Sequence, residues 1–138
     1  MTLSVALAVY NEQDNLGECL ESIKSLATEI VIVDGRSNDH TVDIANQYGA
    51  RVMVEENRTN FHVNKQHAID SCTHDWILQL DADERVSSML LAEIKAIITS
   101  DGSTKADAYY LKRRNYFLGR WMNKGGMYPD PVIRLFKK

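Results

Sequence analysis

The chain has 138 residues, 44% hydrophobic and 25% charged. That is one domain of ordinary size, too apolar for disorder, without an apolar run long enough to cross a membrane. Its net charge of −3 divides unevenly: residues 1–104 carry 7 basic and 17 acidic side chains (−10) and residues 105–138 carry 9 and 2 (+7). A pI near 5.8 argues against nucleic acid as a partner.

Leu3 to Val9 is a short apolar run, expected as a strand buried on both faces. No basic segment precedes it, so it is not read as a secretory signal. Cys19 and Cys72 are too far apart for a zinc site or disulfide framework, and a cytosolic chain is expected. Asn11 offers a cap for a helix carrying Leu16, Leu20, Ile23 and Leu26. Ile30 to Val33 reads as a second strand ending at Asp34-Gly35. Ser37, Asn38 and Asp39 are cap formers before a helix from Thr41 to Tyr48, which Gly49 stops. Arg51 to Val54 is a third strand, and Asn60 caps a helix reaching about Cys72. Asp75 to Leu80 is a fourth strand, delivering Asp81-Ala82-Asp83-Glu84. Ser87 caps a helix with Leu90, Leu91, Ile94, Ile97 and Ile98, and Ala108–Lys112 and Val132–Phe136 are later strands. The last run stops at Lys137-Lys138, where further chain is expected to follow.

Strands alternating with helices imply an α/β fold, a mostly parallel sheet with helices on both faces. Ligands of such sheets bind at the carboxyl ends of the strands. Those ends carry Tyr10-Asn11-Glu12, Asp34-Gly35-Arg36-Ser37 and Asp81-Ala82-Asp83, three polar clusters on one rim. At the end of an extended strand, residues two apart point the same way, so Asp81 and Asp83 are expected to share a face. Two such carboxylates repel unless a cation lies between them, and a hard dication such as Mg²⁺ or Mn²⁺ suits them, with phosphates and water completing its shell. The plainer alternative is a solvated acidic turn. Gly35 lets a ligand approach the backbone; Tyr10 offers a stacking face and Lys65 a cation for a diphosphate. His62 and His67 are five apart and are not read as metal ligands. There is no GxxxxGK[ST] or GxGxxG loop. Trp121 to Asp130 mixes aromatics with Gly125-Gly126, and Asp130 is a candidate general base.

Together, Tyr10-Asn11-Glu12, the strand IVIVDGRSNDHT and LDADE resemble the family 2 glycosyltransferases with the GT-A fold. Phe61-His62-Val63-Asn64-Lys65-Gln66, and Gly125-Gly126-Met127-Tyr128-Pro129-Asp130 with Arg134-Leu135-Phe136, are similar to stretches of the lipopolysaccharide core glucosyltransferase branch. The resemblance implies a single GT-A domain. Residues 1–100 would be its nucleotide-sugar-binding half and residues 101–138 the start of an acceptor-side half, expected to be incomplete. It implies that Tyr10, Asn11 and Glu12 line a nucleotide pocket, that Asp34 contacts the base, and that Lys65 lies near the nucleotide. Asp81 and Ala82 would sit against the donor, Asp81 on ribose or metal, and Asp83 would ligate Mn²⁺ or Mg²⁺ on the diphosphate. Asp130 would lie on the acceptor side. Gly35 stands where many relatives carry a second acid. The implied partners are a nucleotide-sugar donor and a glycan or glycolipid acceptor; separately, the basic charge of residues 105–138 permits peripheral contact with an anionic membrane and does not require it. The alternatives are a nucleotide-sugar-binding remnant without transfer, a nucleotidyltransferase and a receiver-type signalling domain.

Overall fold

The computed structural model describes residues 2–57, 61–100, 106–113, 116–117, 120–121 and 130–138. In chain order the elements are β1 (Leu3–Val9), α1 (Leu16–Ile23), β2 (Glu29–Asp34), α2 (Thr41–Gln47), β3 (Arg51–Val54), α3 (Phe61–Asp70), β4 (Trp76–Gln79) and α4 (Ser88–Ile98). They are followed by β5 (Ala108–Arg113), β6 (Tyr116–Phe117), β7 (Arg120–Trp121) and β8 (Asp130–Lys137). The expected cap Asn60 and residues 122–129, with Gly125 and Gly126, lie outside the described residues.

Six strands form one sheet in the order β3-β2-β1-β4-β8-β5. The β1–β2, β2–β3 and β1–β4 pairs are parallel, as the alternation of strands and helices predicts. β8 runs antiparallel to both β4 and β5. β6 and β7 form a separate two-stranded ladder that the hydrophobic pattern does not announce.

The period-two alternation of strand side chains divides the core into two layers. Leu3, Val5, Leu7 and Val9 of β1, with Ile30, Ile32, Trp76, Leu78 and Leu135, pack against Leu16, Leu20 and Ile23 of α1, Ala45 of α2, and Ile94 and Ile98 of α4. Ala6, Val31, Val33 and Ile77 point the other way, onto Ala68 and Cys72 at α3. Both faces are therefore covered, and α3 covers one of them beside β1 and β2.

Helix starts depart from expectation in one informative place. Asn11 does not cap α1. The helix begins at Leu16 after a turn, its cap position is Asn15, and no side-chain cap bond forms there. Ser87 caps α4 as read, its hydroxyl accepting the Leu90 amide at 3.2 Å. Asp39 receives the Thr41 amide at 2.9 Å and so serves the start of α2.

At the amino-terminal edge of the sheet, Glu29 gathers four donors. Oε1 accepts from Ser4 Oγ at 2.7 Å and the Thr73 amide at 2.9 Å; Oε2 accepts from Thr73 Oγ1 at 3.0 Å and Arg51 at 3.4 Å. Burial pulls this carboxyl up, but the bonds from Ser4 and Thr73 outweigh it and bring its pKa from 4.5 to about 2. A depressed folded pKa gives stability that is present above the ordinary value and lost as pH falls through the folded one. Glu29→Gln is therefore expected to lower the urea midpoint at pH 6. The loss shrinks between about pH 4.5 and pH 2 as the wild-type carboxyl is protonated; equal losses at pH 6 and pH 2 would refute the carboxylate's role.

Candidate functional site

Because β2, β1 and β4 are adjacent and parallel, the loops after them emerge side by side. The first two loops are stitched together. The Asn11 amide donates to Ser37 Oγ at 2.8 Å, the Asn38 amide to Asn11 Oδ1 at 2.9 Å, and the Glu12 amide to Thr41 Oγ1 at 2.8 Å. The His40 amide returns a bond to Gln13 Oε1 at 3.1 Å. Asn11 and Arg36 hold positive φ of 49° and 61°, a conformation that side-chain-bearing residues adopt at a cost and that persists where surrounding bonds over-determine it. Asn11 is thus spent on bridging loops, which is why it is absent from the helix cap. Glu12 Oε2 accepts from Asn15 Nδ2 at 3.1 Å, and Tyr10 stays partly exposed beside it.

Asp34 is 1% exposed. One carboxylate oxygen accepts the Ser37 amide at 3.0 Å and the other the Ser37 hydroxyl at 2.6 Å. Its charge orders its own loop, and Ser37 carries that order to Asn11. Gly35 lies in close approach to the protein itself. A Cβ there would lie 3.2 Å from Cα and Cβ of Asn57.

The acidic cluster after β4 differs from its expected geometry. β4 ends at Gln79, and Asp81–Glu84 is a turn closed by a 2.9 Å bond from the Glu84 amide to the Asp81 carbonyl. Asp81 and Asp83 therefore do not share one face of an extended strand; the chain reverses between them. Ala82 is buried in the core, which pins the turn. Asp81 is drawn inward: Lys65 Nζ stands 2.9 Å from Oδ1 and Arg134 3.1 Å from Oδ2. Burial pulls the Asp81 carboxyl up, but Lys65 and Arg134 together hold it below its ordinary value. Asp83 points outward, exposed, with no hydrogen bond or ion pair to the described residues. Beneath the turn, Cys19 Sγ donates to the Asp81 carbonyl at 3.6 Å, and burial pushes this thiol up to about 12.

Among the described residues no three His, Cys, Asp or Glu side chains converge tightly enough to cage a metal. The donor chemistry still fits a hard dication in one form. Asp83 offers a hard, exposed carboxylate, and Mg²⁺-like ions accept one or two carboxylates and take the rest of their shell from phosphate and water. Asp81 already receives two cations, so it joins such a shell only by sharing its oxygens.

Lys65, Asp81, Ala82 and Asp83 are brought together, as are Asn11, Glu12 and Asp34 through Ser37 and Thr41. Asp130 opens β8 opposite Arg113. Sequence reasoning did not foresee the Ser37 and Thr41 bridges between loops or the Glu84 and Arg134 contacts around the turn. For Arg134 a signal exists: a lone charge inside the apolar run Val132–Phe136.

Residues 4–131 match the family described as Glycosyl transferase family 2. An uncharacterized glycosyltransferase of Rickettsia typhi is 31% identical over 136 residues, 99% of this chain and 46% of that protein. A lipopolysaccharide core biosynthesis glycosyltransferase, LpsC of Rhizobium meliloti, is 32% identical over 124 residues, 86% of this chain and 44% of that one. The chain thus spans less than half the length of these curated relatives. Among solved structures, S. aureus TarS in complex with UDP superposes with a TM-score of 0.65 at 22% identity, covering 94% of this chain and 40% of that one. Mannosyltransferase PcManGT of Pyrobaculum calidifontis, with GDP-Man and Mn²⁺, gives 0.64 at 19%, covering 80% and 35%. At these identities the structural likeness establishes a shared GT-A fold.

The stitching of the first two loops makes a prediction. Ser37→Ala removes the acceptor of the Asn11 amide and the donor to Asp34, so it is expected to cost about 1–2 kcal/mol in urea unfolding. Amide exchange at Asn11 should quicken in parallel; unchanged exchange there would contradict the stitching.

Proposed function

The chain belongs to glycosyl transferase family 2, and from that premise we propose that it carries the donor site of an inverting glycosyltransferase. The observation that supports this is that the loops after three adjacent parallel strands, β2, β1 and β4, emerge at one edge of the sheet, where the third carries the exposed carboxylate of Asp83. The donor is a nucleoside-diphosphate sugar, with UDP as the nucleotide. Tyr10 offers its ring to the base, and Asn11, Glu12 and the loop ordered by Asp34 through Ser37 form the wall beside it. Lys65 and Asp83 face the diphosphate, with Asp81 and Ala82 fixing the turn that presents Asp83. A Mn²⁺ or Mg²⁺ ion held by Asp83 would supply positive charge to the departing diphosphate.

In the transfer step, an acceptor hydroxyl gives its proton to Asp130 and forms a bond to the anomeric carbon from the face opposite the diphosphate. The old carbon–oxygen bond breaks, and its electron pair leaves with the nucleoside diphosphate. The acceptor is a glycan or glycolipid of the cell envelope, of the lipopolysaccharide-core type. No helix among the described residues is long and apolar enough to cross a membrane. The +7 charge of residues 105–138 favours peripheral contact with an anionic membrane on the cytoplasmic side.

The test is calorimetry of UDP with Mn²⁺ and with EDTA, using GDP as the control. Metal-dependent UDP binding is expected. Asp83→Asn should weaken it at least about tenfold while leaving the unfolding midpoint nearly unchanged, because the side chain is exposed. Equal binding by Asp83→Asn would remove the metal role from this residue. Absence of binding by the unaltered chain would remove the donor site.

A further inference from the structure

Arg134 is a charged side chain where the strand pattern calls for an apolar or exposed one, and its side chain is only 8% exposed. Its position has a backbone cause. Tyr109 of β5 pairs with Leu135 and Tyr110 with Ile133, so the register slips by one residue and Arg134 faces no partner on β5. Bulges of this kind re-aim a side chain and recur beside functional sites. On the other edge β8 pairs with β4 only as far as Leu78–Leu135, which leaves Arg134 beside the end of β4.

From there the guanidinium grips both ends of the turn that follows. One nitrogen bonds Gln79 Oε1. The other lies 3.1 Å from Asp81 Oδ2 and 3.2 Å from the Glu84 carboxylate. Glu84 Oε1 in turn accepts the Asp81 amide at 2.7 Å, which closes a ring across the turn. The guanidinium presents its donors in a fixed planar fork, whereas an ammonium is a point charge whose three donors rotate. Within the ring, Ala82 is buried and Asp83 is left outside it, exposed.

We propose that Arg134 is a positioning residue, which holds Asp81 and Glu84 inward so that Asp83 is presented to the cation and diphosphate, and which joins that turn to β8. The inference rests on the proposed donor site and goes beyond it. It assigns the order of the turn to a residue on the strand that Asp130 opens.

Charge and geometry give opposite expectations, which makes the inference testable by UDP calorimetry across a Mn²⁺ series. Arg134→Lys keeps the charge and loses the fork. Charge alone predicts no change; positioning predicts that the Mn²⁺ concentration for half-maximal UDP binding rises about tenfold, the scale of supporting-residue losses at metal sites. Arg134→Gln removes a cation beside the site. Charge alone predicts tighter Mn²⁺ dependence; positioning predicts weaker. Circular dichroism and the unfolding midpoint verify that each variant is folded, and where the Gln variant is not, the Lys variant decides. Unchanged Mn²⁺ dependence in Arg134→Lys overturns the positioning role and leaves the donor site standing. Failure of the unaltered chain to bind UDP with Mn²⁺ overturns the donor site and this inference with it.

Discussion

β1 pairs with β2 on one edge and β4 on the other, and its seven side chains are no more than 3% exposed. A strand with both edges bonded and both faces covered can meet water only at its ends. Everything polar that this chain displays near its centre is therefore pushed to two poles. At the amino-terminal pole the result is the Glu29 cluster, closed upon itself. At the carboxyl-terminal pole it is the rim of Tyr10, Asn11, Glu12, Ser37 and the turn Asp81–Glu84. Parallel pairing then places the ends of three adjacent strands, β2, β1 and β4, together without any need for sequence proximity.

The carboxylates of that rim are not equivalent, although they are the same chemical group. Asp34 is saturated by Ser37, and Asp81 is flanked by Lys65 and Arg134. Taking a carboxylate out of water is costly unless partners replace its hydration. Two of the acids meet that requirement inside the protein and become scaffold. Asp83 is exposed, with no partner among the described residues. The acids of the rim thus divide into two that protein partners hold and one that stays exposed.

Much of the fold is legible in the sequence because its signals are local. The runs Leu3–Val9 and Ile30–Val33 are too short for helices and too apolar for surface strands, and Ser87 stands one residue before α4. The site is legible in its membership, since residues after buried strands are where polar chemistry can emerge. Its geometry is less so. The reversal at Asp81–Glu84 depends on Ala82 finding room in the core and on Arg134, about fifty residues later in the chain. The role of Gly35 depends on where Asn57 passes, and that of Asn11 on Ser37 and Asn38 across a neighbouring loop. Such contacts are properties of the packed chain, and spacing along the sequence does not encode them in readable form. The register slip at Arg134 belongs with them: only the odd charge in an apolar run hints at it.

The burial of Cys19 under the Asp81 carbonyl has a practical consequence. Thiol reagents attack the thiolate, and with pKa values near 12 for Cys19 and 11 for Cys72 the two native cysteines are almost wholly protonated at neutral pH. Both thiols are also buried, so a cysteine introduced at an exposed position such as Met89 is more accessible to a label than either of them. Alkylation of Cys19 requires an opening that exposes its buried sulfur, and lifting of the Asp81–Glu84 turn above it is one such opening. The rate of that alkylation would report such openings without any ligand at all.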